Sequence, residues 1–269
     1  MKSAVAERDQ WRVPDYRSLF WQGRSSNWCV VIPVINEGSR LRNFVLRLQA
    51  AGIDRQADII IVDGGSNDGS LEIDWLRDHG VRGLLLKTGP GKLSSQLRVA
   101  YAFALQLEYK GIVTIDGNNK DDPSSIPSFI HALEHGVDFV QASRFIHGGH
   151  QERTPLMREL AIRTLHAPLL SLASGFKWTD TTQGYRAYSS HCLLDERVQP
   201  FRDVFTSYEL LAYLSYRLPK LGYKCLELPT SRTYPPGEVP TKISAVRGNI
   251  SLIKILIKAC IAGYNPPNH

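Results

Sequence analysis

Apolar and polar positions alternate in blocks along most of the chain. Short runs rich in β-branched residues, such as 28–34 and 59–62, are separated by longer segments in which apolar residues recur at helical spacing. In the segment 37–51, Leu41 and Phe44 fall on one helical face. Apolar strands that alternate with amphipathic helices are typical of a parallel sheet whose two faces are covered. The pattern therefore predicts an α/β fold with a mostly parallel central sheet that is flanked by helices.

The same pattern gives the approximate bounds of each element. Strands are predicted at 28–34, 59–62, 81–86, 112–115, 137–140 and 225–228. Helices are predicted at 37–51, 71–78, 93–107, 124–134, 154–173, 205–218 and 250–261. Residues 1–26 are polar and aromatic by turns, which indicates an N-terminal extension before a main domain at 27–245. The last segment, 246–269, is predicted to hold a C-terminal amphipathic helix.

Charge narrows the class of partner. The net charge of +6 and the isoelectric point near 9.1 favour an anionic partner such as a nucleotide or a phospholipid surface. Nucleic acid is not expected, because the basic residues are spread out and no nucleic-acid-binding motif is present. The hydrophobic content of 43% is enough for a substantial core.

Apolar segments and cysteines bear on the cellular compartment. No segment approaches the roughly 20 apolar residues that span a bilayer, and the first residues lack the apolar block of a signal peptide. The cysteines are far apart and have no metal-type spacing, which favours a reduced protein. We therefore expect a cytoplasmic protein.

Polar or glycine-rich segments follow five of the predicted strands. Ligands bind beyond the carboxyl ends of the strands in an open α/β sheet. One such loop is explained as well by turn residues and helix caps, but five loops at one edge favour a ligand site. The segments are 33–37, 63–70, 87–92, 116–118 and 142–145.

These loops carry groups that suit a nucleotide. Asp63 can accept hydrogen bonds from the ring N–H of uracil or guanine, and Gly65 lets backbone N–H groups approach a ligand closely. Lys92 begins a helix, where an anion is favoured. Asp116 and Asn118 offer oxygen atoms to a hard divalent cation, Mg²⁺ or Mn²⁺, which would neutralise a departing diphosphate.

The motifs in these loops resemble those of the inverting family-two glycosyltransferases of GT-A fold, and most closely those of the dolichyl-phosphate and polyprenyl-phosphate sugar synthases. The resemblance covers about 28–245 and implies a Rossmann-like sheet and a nucleotide-sugar donor. The matching motifs are VVIPVINE at 30–37, IIIVDGGSNDGS at 59–70, GPGKLSSQL at 89–97, VTIDGNNKDDP at 113–123, ASRFIHGG at 142–149, TDTTQGYRAYS at 179–189 and ELPTSRTYPPGEVPTKIS at 227–244.

The resemblance also implies which residues bind the donor. Pro33, Glu37 and Asp63 match positions that hold the nucleoside in the family. Asp116 matches the first residue of the family's metal-binding DxD motif, and Asn118 stands at the second. Gly65, Lys92 and Arg144 complete the predicted donor set.

The chain departs from the family pattern in the donor loops. Gly64 stands where a second aspartate is usual. The neutral Asn118 should bind a metal less strongly than an aspartate, and Asp121 or Asp122 can compensate. Lys120 stands where the family often has glutamine and can itself contact phosphate.

A second set of matches implies an acceptor side. Arg144 matches an arginine that meets the diphosphate or the acceptor phosphate, and we predict catalytic roles for Arg144, Asp180 and Arg186. An acidic residue at position 180 can serve as a base or can hold the acceptor. The predicted acceptor-binding residues are Arg163, Gln183, Arg232 and Lys242.

Three functions remain open at this point. The first is sugar transfer, with inversion, to a polyprenyl phosphate at the cytoplasmic membrane face. The second is the same chemistry on a hydroxyl acceptor in glycan biosynthesis. A phosphate acceptor is already ionised, whereas a hydroxyl needs a base, for which Asp180 is the candidate. The third, suggested by Asn118 and Gly64, is a non-catalytic nucleotide-sugar-binding module.

The apolar segment 250–261 leaves its own alternatives open. Lys254 and Lys258 lie one helical turn apart in it. Such a helix can lie on an anionic membrane surface with its lysines toward the headgroups. It can equally pack on the domain or form the interface of a homo-oligomer.

Overall fold

The computed structural model describes residues 11–235 and 247–267, and only the backbone of residues 247–249. The predicted acceptor residue Lys242 and the first ten residues lie outside these ranges. The described residues form one eight-stranded sheet, in the order β1–β4–β3–β2–β5–β8–β6–β9, and a two-stranded sheet of β7 and β10. The strands are β1 Tyr16–Trp21, β2 Trp28–Val34, β3 Asp58–Asp63, β4 Val81–Lys87, β5 Gly111–Thr114, β6 Phe139–Ser143, β7 His150–Glu152, β8 Arg186–Ser189, β9 Cys225–Pro229 and β10 Ser231–Thr233.

Alternation along the central strands creates two cores, one on each face of the sheet. In β2, Val31 joins the core on one face, whereas Val30 and Ile32 join the core on the other. β2 runs parallel to β3 on one side and to β5 on the other. The predicted parallel sheet with both faces covered is thus confirmed, and its most apolar strands lie at its centre.

Helices cover both faces. They are α1 Ser39–Ala50, α2 Ile73–Asp78, α3 Leu93–Gln106, α4 Ile126–Glu134, α5 Leu156–Ala161, α6 Ala167–Ser174, α7 Ser190–Leu194, α8 Glu209–Lys220 and α9 Arg247–Cys260. Apolar residues of α3, α8 and α9 belong to one core. Those of α1 and α4 belong to the other. The sheet therefore lies between two helical layers.

The N-terminal part of the chain differs from its prediction. The sequence predicts an N-terminal extension up to residue 26 and no strand within it, whereas β1 pairs antiparallel with β4 and forms an edge of the main sheet. Trp11 stacks on Phe201 with ring centroids 4.1 Å apart. Because β1 alternates polar and apolar residues only weakly, its periodicity does not reveal the strand.

The predicted helix 154–173 is interrupted. α5 leads into a π-helical turn, Ile162–His166, which leads into α6. Gly175 ends α6 with a φ of 77°, in the left-handed region that favours glycine. Inserted π turns are frequent at functional sites, and this one adjoins the loop that holds Asp180.

The helix predicted at 250–261 is present as α9. Ile255, Leu256 and Ala259 are buried against the domain. Ile253 and Ile257 lie on its exposed side. Within the residues that the structure describes, no helix is both long enough and apolar enough to cross a membrane.

Candidate active site

The five polar loops meet at one edge of the sheet. β3 and β4 run parallel to β2 and β5. β8 is antiparallel to both β5 and β6, which makes β6 parallel to β5. The carboxyl ends of β2 to β6 therefore point the same way, as the sequence predicts.

Hydrogen bonds join the loops after β2 and β3. Asn36 adopts a φ of 49°, which asparagine tolerates better than most residues. Its backbone N–H donates to Ser66 Oγ at 2.9 Å, and its side-chain Oδ1 accepts from the backbone N–H of Asn67 at 2.9 Å. Gly38 N donates to Asp68 Oδ2 at 2.8 Å. The predicted nucleoside-binding loops thus form one connected surface.

The predicted nucleoside residues lie along this surface. Pro33 is buried near the end of β2, and Glu37 lies 3.1 Å from the guanidinium of Arg40. Asp63 is buried and accepts from Ser66 N at 2.9 Å and Ser66 Oγ at 2.6 Å. Gly65 is exposed, and a Cβ built on it meets no atom within 4 Å. The backbone at Gly65 is therefore open to a ligand.

A close contact accounts for the glycine at position 64. A Cβ at Gly64 would lie 3.0 Å from Gln96 Nε2. That amide donates to Val34 O at 2.8 Å and to Val62 O at 3.0 Å, which fixes α3 beneath the ends of β2 and β3. Gln96 therefore occupies the space beside position 64. Sequence reasoning missed this residue because its contact lies far along the chain.

Lys92 lies at the start of α3. Its side chain is exposed, and its backbone N–H donates to Thr206 O at 2.6 Å. The helix dipole of α3 adds positive potential at this end. Lys92 is thus free to meet an anion at the same edge of the sheet.

Asp116 and Asn118 face each other after β5. Asn118 Nδ2 donates to Asp116 Oδ2 at 3.4 Å, and Asn118 Oδ1 accepts from the backbone N–H of Lys120 at 3.3 Å. Arg232 Nη2 lies 3.6 Å from Asp116 Oδ2. The predicted metal pair is therefore brought together, and a guanidinium lies beside it.

Two glycines make room for this arrangement. A Cβ at Gly117 would lie 2.6 Å from Val34 Cγ1, so the loop can approach β2 only without a side chain. A Cβ at Gly184 would lie 2.5 Å from Asp116 Oδ1. The glycine of the 179–189 motif thus allows the carboxylate of Asp116 to sit against that loop.

Arg232 and Asp121 form a buried ion pair beneath Asp116. Arg232 Nη1 lies 2.8 Å from Asp121 Oδ1 and 2.6 Å from Oδ2. Although burial opposes its charge, the carboxylates of Asp121 and Asp116 raise the pKa of Arg232, so it stays a cation. The predicted acceptor role of Arg232 is not what this geometry favours, because its guanidinium is committed to these carboxylates.

Lys120 lies beside the same cluster. Its side chain is buried, with Nζ 5.0 Å from the centre of the Tyr234 ring. Burial and the neighbouring charge of Arg232 lower the pKa of Lys120 to about 8. The lysine noted in the sequence as a departure from the family thus stands inside the site.

Arg144 and Asp180 pair with each other in the interior. Arg144 Nε donates to Asp180 Oδ2 at 2.7 Å, and Gln183 Nε2 donates to the same oxygen at 2.7 Å. Although burial disfavours the carboxylate, Arg144 and Gln183 hold the pKa of Asp180 below its usual range. A catalytic base at Asp180 is therefore not supported, since the carboxylate is fully buried and engaged.

Arg186 is also part of the framework. Its guanidinium is fully buried and donates to Leu211 O at 2.7 Å and to Thr181 O at 2.9 Å. The predicted catalytic role of Arg186 finds no support, because these bonds direct it away from the loops that follow β2 to β5. It instead ties the 180–184 loop to α8.

Glu227 positions the other end of this loop. It accepts from Thr179 N at 2.9 Å and from Asp180 N at 3.0 Å. Glu227 was not predicted as a site residue. Its only sequence signal is its place in the late motif 227–244.

Three buried polar atoms of the site have no protein partner among the described residues: Arg144 Nη1, Gln183 Oε1 and Tyr234 OH. Buried polar groups normally have a partner, often water or a ligand. The Phe145 ring lies 5.0 Å from the guanidinium carbon of Arg144 and 4.4 Å from that of Arg163. Arg163 is exposed and pairs with Glu159 at 3.1 Å. Arg144 and Arg163 therefore flank one aromatic ring, although only Arg163 reaches the surface.

The small number of oxygen ligands limits how the protein could hold a divalent cation. Within the described residues, no group of three or more His, Cys, Asp or Glu side chains could hold a metal ion. Asp116 and Asn118 would supply two oxygen atoms, and a diphosphate would have to supply more. Mg²⁺ is commonly held in this way, through one or two carboxylates together with substrate phosphates. The residues present fit a cation that arrives with a nucleotide.

A mostly parallel sheet with this polar edge defines an α/β protein with a ligand site at the carboxyl ends of its strands. The model of the family described as Glycosyl transferase family 2 matches residues 29–193. The chain belongs to that family, and it is a glycosyltransferase. Family membership confirms the predicted enzyme class and disfavours the non-catalytic alternative.

Named relatives support this placement. The polyprenol monophosphomannose synthase of Mycolicibacterium smegmatis is 26% identical over 207 residues, which cover 76% of each chain. The undecaprenyl-phosphate mannosyltransferase of Micrococcus luteus is 26% identical over 204 residues, covering 74% of this chain and 80% of that one. The dolichol-phosphate mannosyltransferase of Mycosarcoma maydis is 30% identical over 173 residues, covering 58% of each chain.

Solved structures confirm the GT-A fold. The glucosyl-3-phosphoglycerate synthase of Mycobacterium tuberculosis with phosphoglyceric acid gives a TM-score of 0.61 at 17% identity, over 88% of this chain and 80% of that one. Its complex with Mn²⁺, UDP and glucosyl-3-phosphoglycerate gives 0.55 at 16% identity, over 90% of this chain and 80% of that one. Neighbours of this fold are thus crystallised with a divalent cation and UDP.

Proposed function

We propose that this glycosyltransferase moves a sugar from a UDP- or GDP-linked donor to a polyprenyl phosphate, with inversion at the anomeric carbon. The nucleoside lies on the connected loops after β2 and β3, with Glu37 and Asp63 at its base. The absence of a side chain at Gly65 lets the ligand approach the backbone. Lys92 lies at the same edge of the sheet, where it binds the diphosphate.

The diphosphate lies beside Asp116 and Asn118. A Mg²⁺ or Mn²⁺ ion held by these two residues would neutralise negative charge on the leaving group. Asp116 is fixed for this purpose by Arg232, at 3.6 Å, and by the space that Gly184 leaves. The protein contributes mainly position and charge, which suits a reaction in which a charged group departs.

One observation carries the choice of acceptor: the pairing of Asp180 with Arg144. The carboxylate predicted as a base is buried and already accepts from Arg144 and Gln183. A hydroxyl acceptor requires a base, whereas a phosphate acceptor is already ionised. Arg144 keeps one nitrogen, Nη1, without a partner among the described residues. An arginine oriented by a carboxylate suits recognition of an acceptor phosphate.

The lipid part of the acceptor is supported by exposed apolar side chains on α5. Leu156 is 78% exposed and Met157 is 75% exposed. α5 continues into the turn that carries Arg163, beside Phe145. Apolar side chains next to a basic site suit a ligand with a charged head and a hydrocarbon tail. The names of the relatives that use polyprenyl and undecaprenyl phosphates agree with this choice.

We also propose that the protein acts peripherally at the cytoplasmic face of a membrane. Ile253 and Ile257 lie on the exposed side of α9, next to Lys254 and Lys258. Apolar side chains flanked by lysines suit an anionic lipid surface, and the net charge of +6 adds to that attraction.

The Asp180→Asn variant distinguishes two roles for this carboxylate: positioning Arg144, or acting as a catalytic base. We expect the variant to raise the KM for polyprenyl phosphate by about 10-fold, because Arg144 loses a charged partner, while kcat changes little. A base would instead contribute about 100-fold or more to kcat. Steady-state kinetics with excess nucleotide sugar measures both constants.

Nucleotide-sugar affinity serves as the control, since unchanged affinity shows that the folded donor site survives the substitution. A fall of kcat by about 100-fold with an unchanged KM would contradict the positioning role.

A further inference from the structure

We propose that Lys120 binds the diphosphate of the donor directly, so that nucleotide binding persists when the divalent cation is removed. This inference rests on the proposed use of a nucleotide sugar and adds a residue to that same site. It concerns a lysine that stands between the carboxylates of the site and has no assigned role in the reaction described above.

The backbone around Lys120 is held firmly. Lys120 O accepts from Thr233 N at 2.9 Å, and Asp122 N donates to Ser231 O at 3.0 Å. The side chain is only 5% exposed, and its ammonium lies over the Tyr234 ring. A lysine placed in this way loses little further conformational freedom when it binds an anion.

The charges of the cluster favour an anion without prior metal binding. Asp116 and Asp121 are balanced by Arg232 and Lys120, because position 118 carries a neutral amide. With an aspartate at position 118, the cluster would repel a diphosphate unless a divalent cation came first. With asparagine there, the two protein cations already offset both carboxylates.

A cavity adjoins this cluster. Its volume is about 500 Å³, and Asn118 and Lys120 contribute to its lining. Arg40, Arg47 and Arg153 also line it, together with Asp122. Each of these arginines lies within 3.4 Å of a carboxylate oxygen, of Glu37, Asp122 and Glu152 respectively. The lining thus holds four cationic side chains and one carboxylate, which favours an anionic group next to Lys120.

The inference is tested by nucleotide binding at fixed neutral pH. Isothermal titration with UDP, GDP and the two nucleosides is carried out in EDTA and again with Mn²⁺, on the wild type and on Lys120→Gln. We expect the wild type to retain UDP or GDP binding in EDTA. Lys120→Gln should lose about 10-fold or more of that cation-free affinity, the value of one charged hydrogen bond. Its affinity for the nucleoside alone should not change.

Three variants make the result specific. Lys120→Arg should restore most of the cation-free affinity, because it keeps the charge. Lys110→Gln removes an exposed lysine at the opposite edge of the sheet and should match the wild type. Asn118→Asp should make binding depend more strongly on Mn²⁺. Thermal melting of each variant shows whether it is folded.

Two outcomes would overturn the inference about Lys120 without contradicting the proposed donor site. One is wild-type nucleotide binding that disappears in EDTA, and the other is a Lys120→Gln affinity in EDTA that equals that of the wild type. Failure of the wild type to bind either nucleotide, with or without Mn²⁺, would instead contradict the proposed donor site itself.

Discussion

At the scale of single residues, the site depends on glycines, which leave space for neighbouring groups, as much as on charged side chains. Asp116 and Asn118 are recognisable in the sequence because they follow an apolar strand. The role of Gly184 is not recognisable in the sequence. A Cβ at this position would lie 2.5 Å from Asp116 Oδ1, and the two residues are far apart in the chain. Gln96 beside Gly64 is the same kind of contact.

Residue chemistry also explains why the geometry does not favour some of the predicted roles. The resemblance to the family's motifs implied catalytic roles for Asp180 and Arg186 and an acceptor role for Arg232. In the structure Asp180 pairs with Arg144, Arg232 pairs with Asp121, and Arg186 donates to backbone carbonyls. A sequence shows that charged residues are present, but it does not show which of them pair in the interior. That pairing depends on loop geometry.

His166 gives a pH-dependent prediction at this scale. Its Nδ1 lies 2.6 Å from Thr181 Oγ1, with Arg186 and Asp180 as the charged groups nearby. Burial and Arg186 lower the pKa of His166 to about 4. A histidine in the unfolded chain titrates near 6.5. The folded protein is therefore disfavoured as pH falls from about 6.5 toward 4, where only the unfolded chain takes up the proton.

We expect the free energy of unfolding to fall by about 2 kcal/mol between pH 7 and pH 5 through His166 alone. The free energy of unfolding is measured by urea unfolding of the wild type and of His166→Gln at both pH values. The contribution of His166 is the amount by which the change between pH 7 and pH 5 is larger in the wild type than in the variant. His147→Gln, which alters an exposed histidine, is the matched control. Equal pH dependence in the wild type and His166→Gln would refute the prediction.

At the scale of elements, strands and helices with strong periodicity were predicted well. β2 to β6 and the helices between them appear where continuous apolar runs and helical spacing place them. The missed strands β1, β7, β8 and β10 either lie at an edge or are short. Their residues pair with distant partners, so local pattern gives little signal.

Exposed apolar positions on α5 and α9 lead to a prediction about these helices. α9 packs against α6, which continues α5 through the π turn. We expect the wild type to float with vesicles that contain phosphatidylglycerol. Leu156→Glu with Met157→Glu, and separately Ile253→Glu with Ile257→Glu, should each reduce flotation several-fold, since charge is costly in the lipid interface.

Stability should change little in these variants because the replaced side chains are exposed. Leu194→Glu alters an exposed leucine on α7, at the opposite edge of the sheet, and should float like the wild type. Wild-type protein that stays unbound would contradict membrane contact. A wild-type dimer that these variants convert to a monomer would instead assign the surface to a homo-oligomer.

At the scale of the whole molecule, the topology brings the chemistry together. Parallel strands β2 to β6 place their carboxyl ends at one edge, with the donor loops after β2, β3 and β5 and the loop that begins with Arg144 after β6. The sequence was sufficient to predict this edge because strand direction follows from alternating strands and helices. The acceptor could not be chosen from sequence, because that choice depends on whether Asp180 is free or paired.

The most direct test compares two acceptors of the same chain length, a polyprenyl phosphate and the corresponding polyprenol, with UDP- and GDP-linked sugars and Mg²⁺ or Mn²⁺ present. Mass spectrometry detects the glycosylated lipid. With the same enzyme and donor, we expect a glycosylated product from the polyprenyl phosphate and none from the polyprenol. Product from the alcohol alone, or no product from the phosphate with any donor, would contradict this expectation.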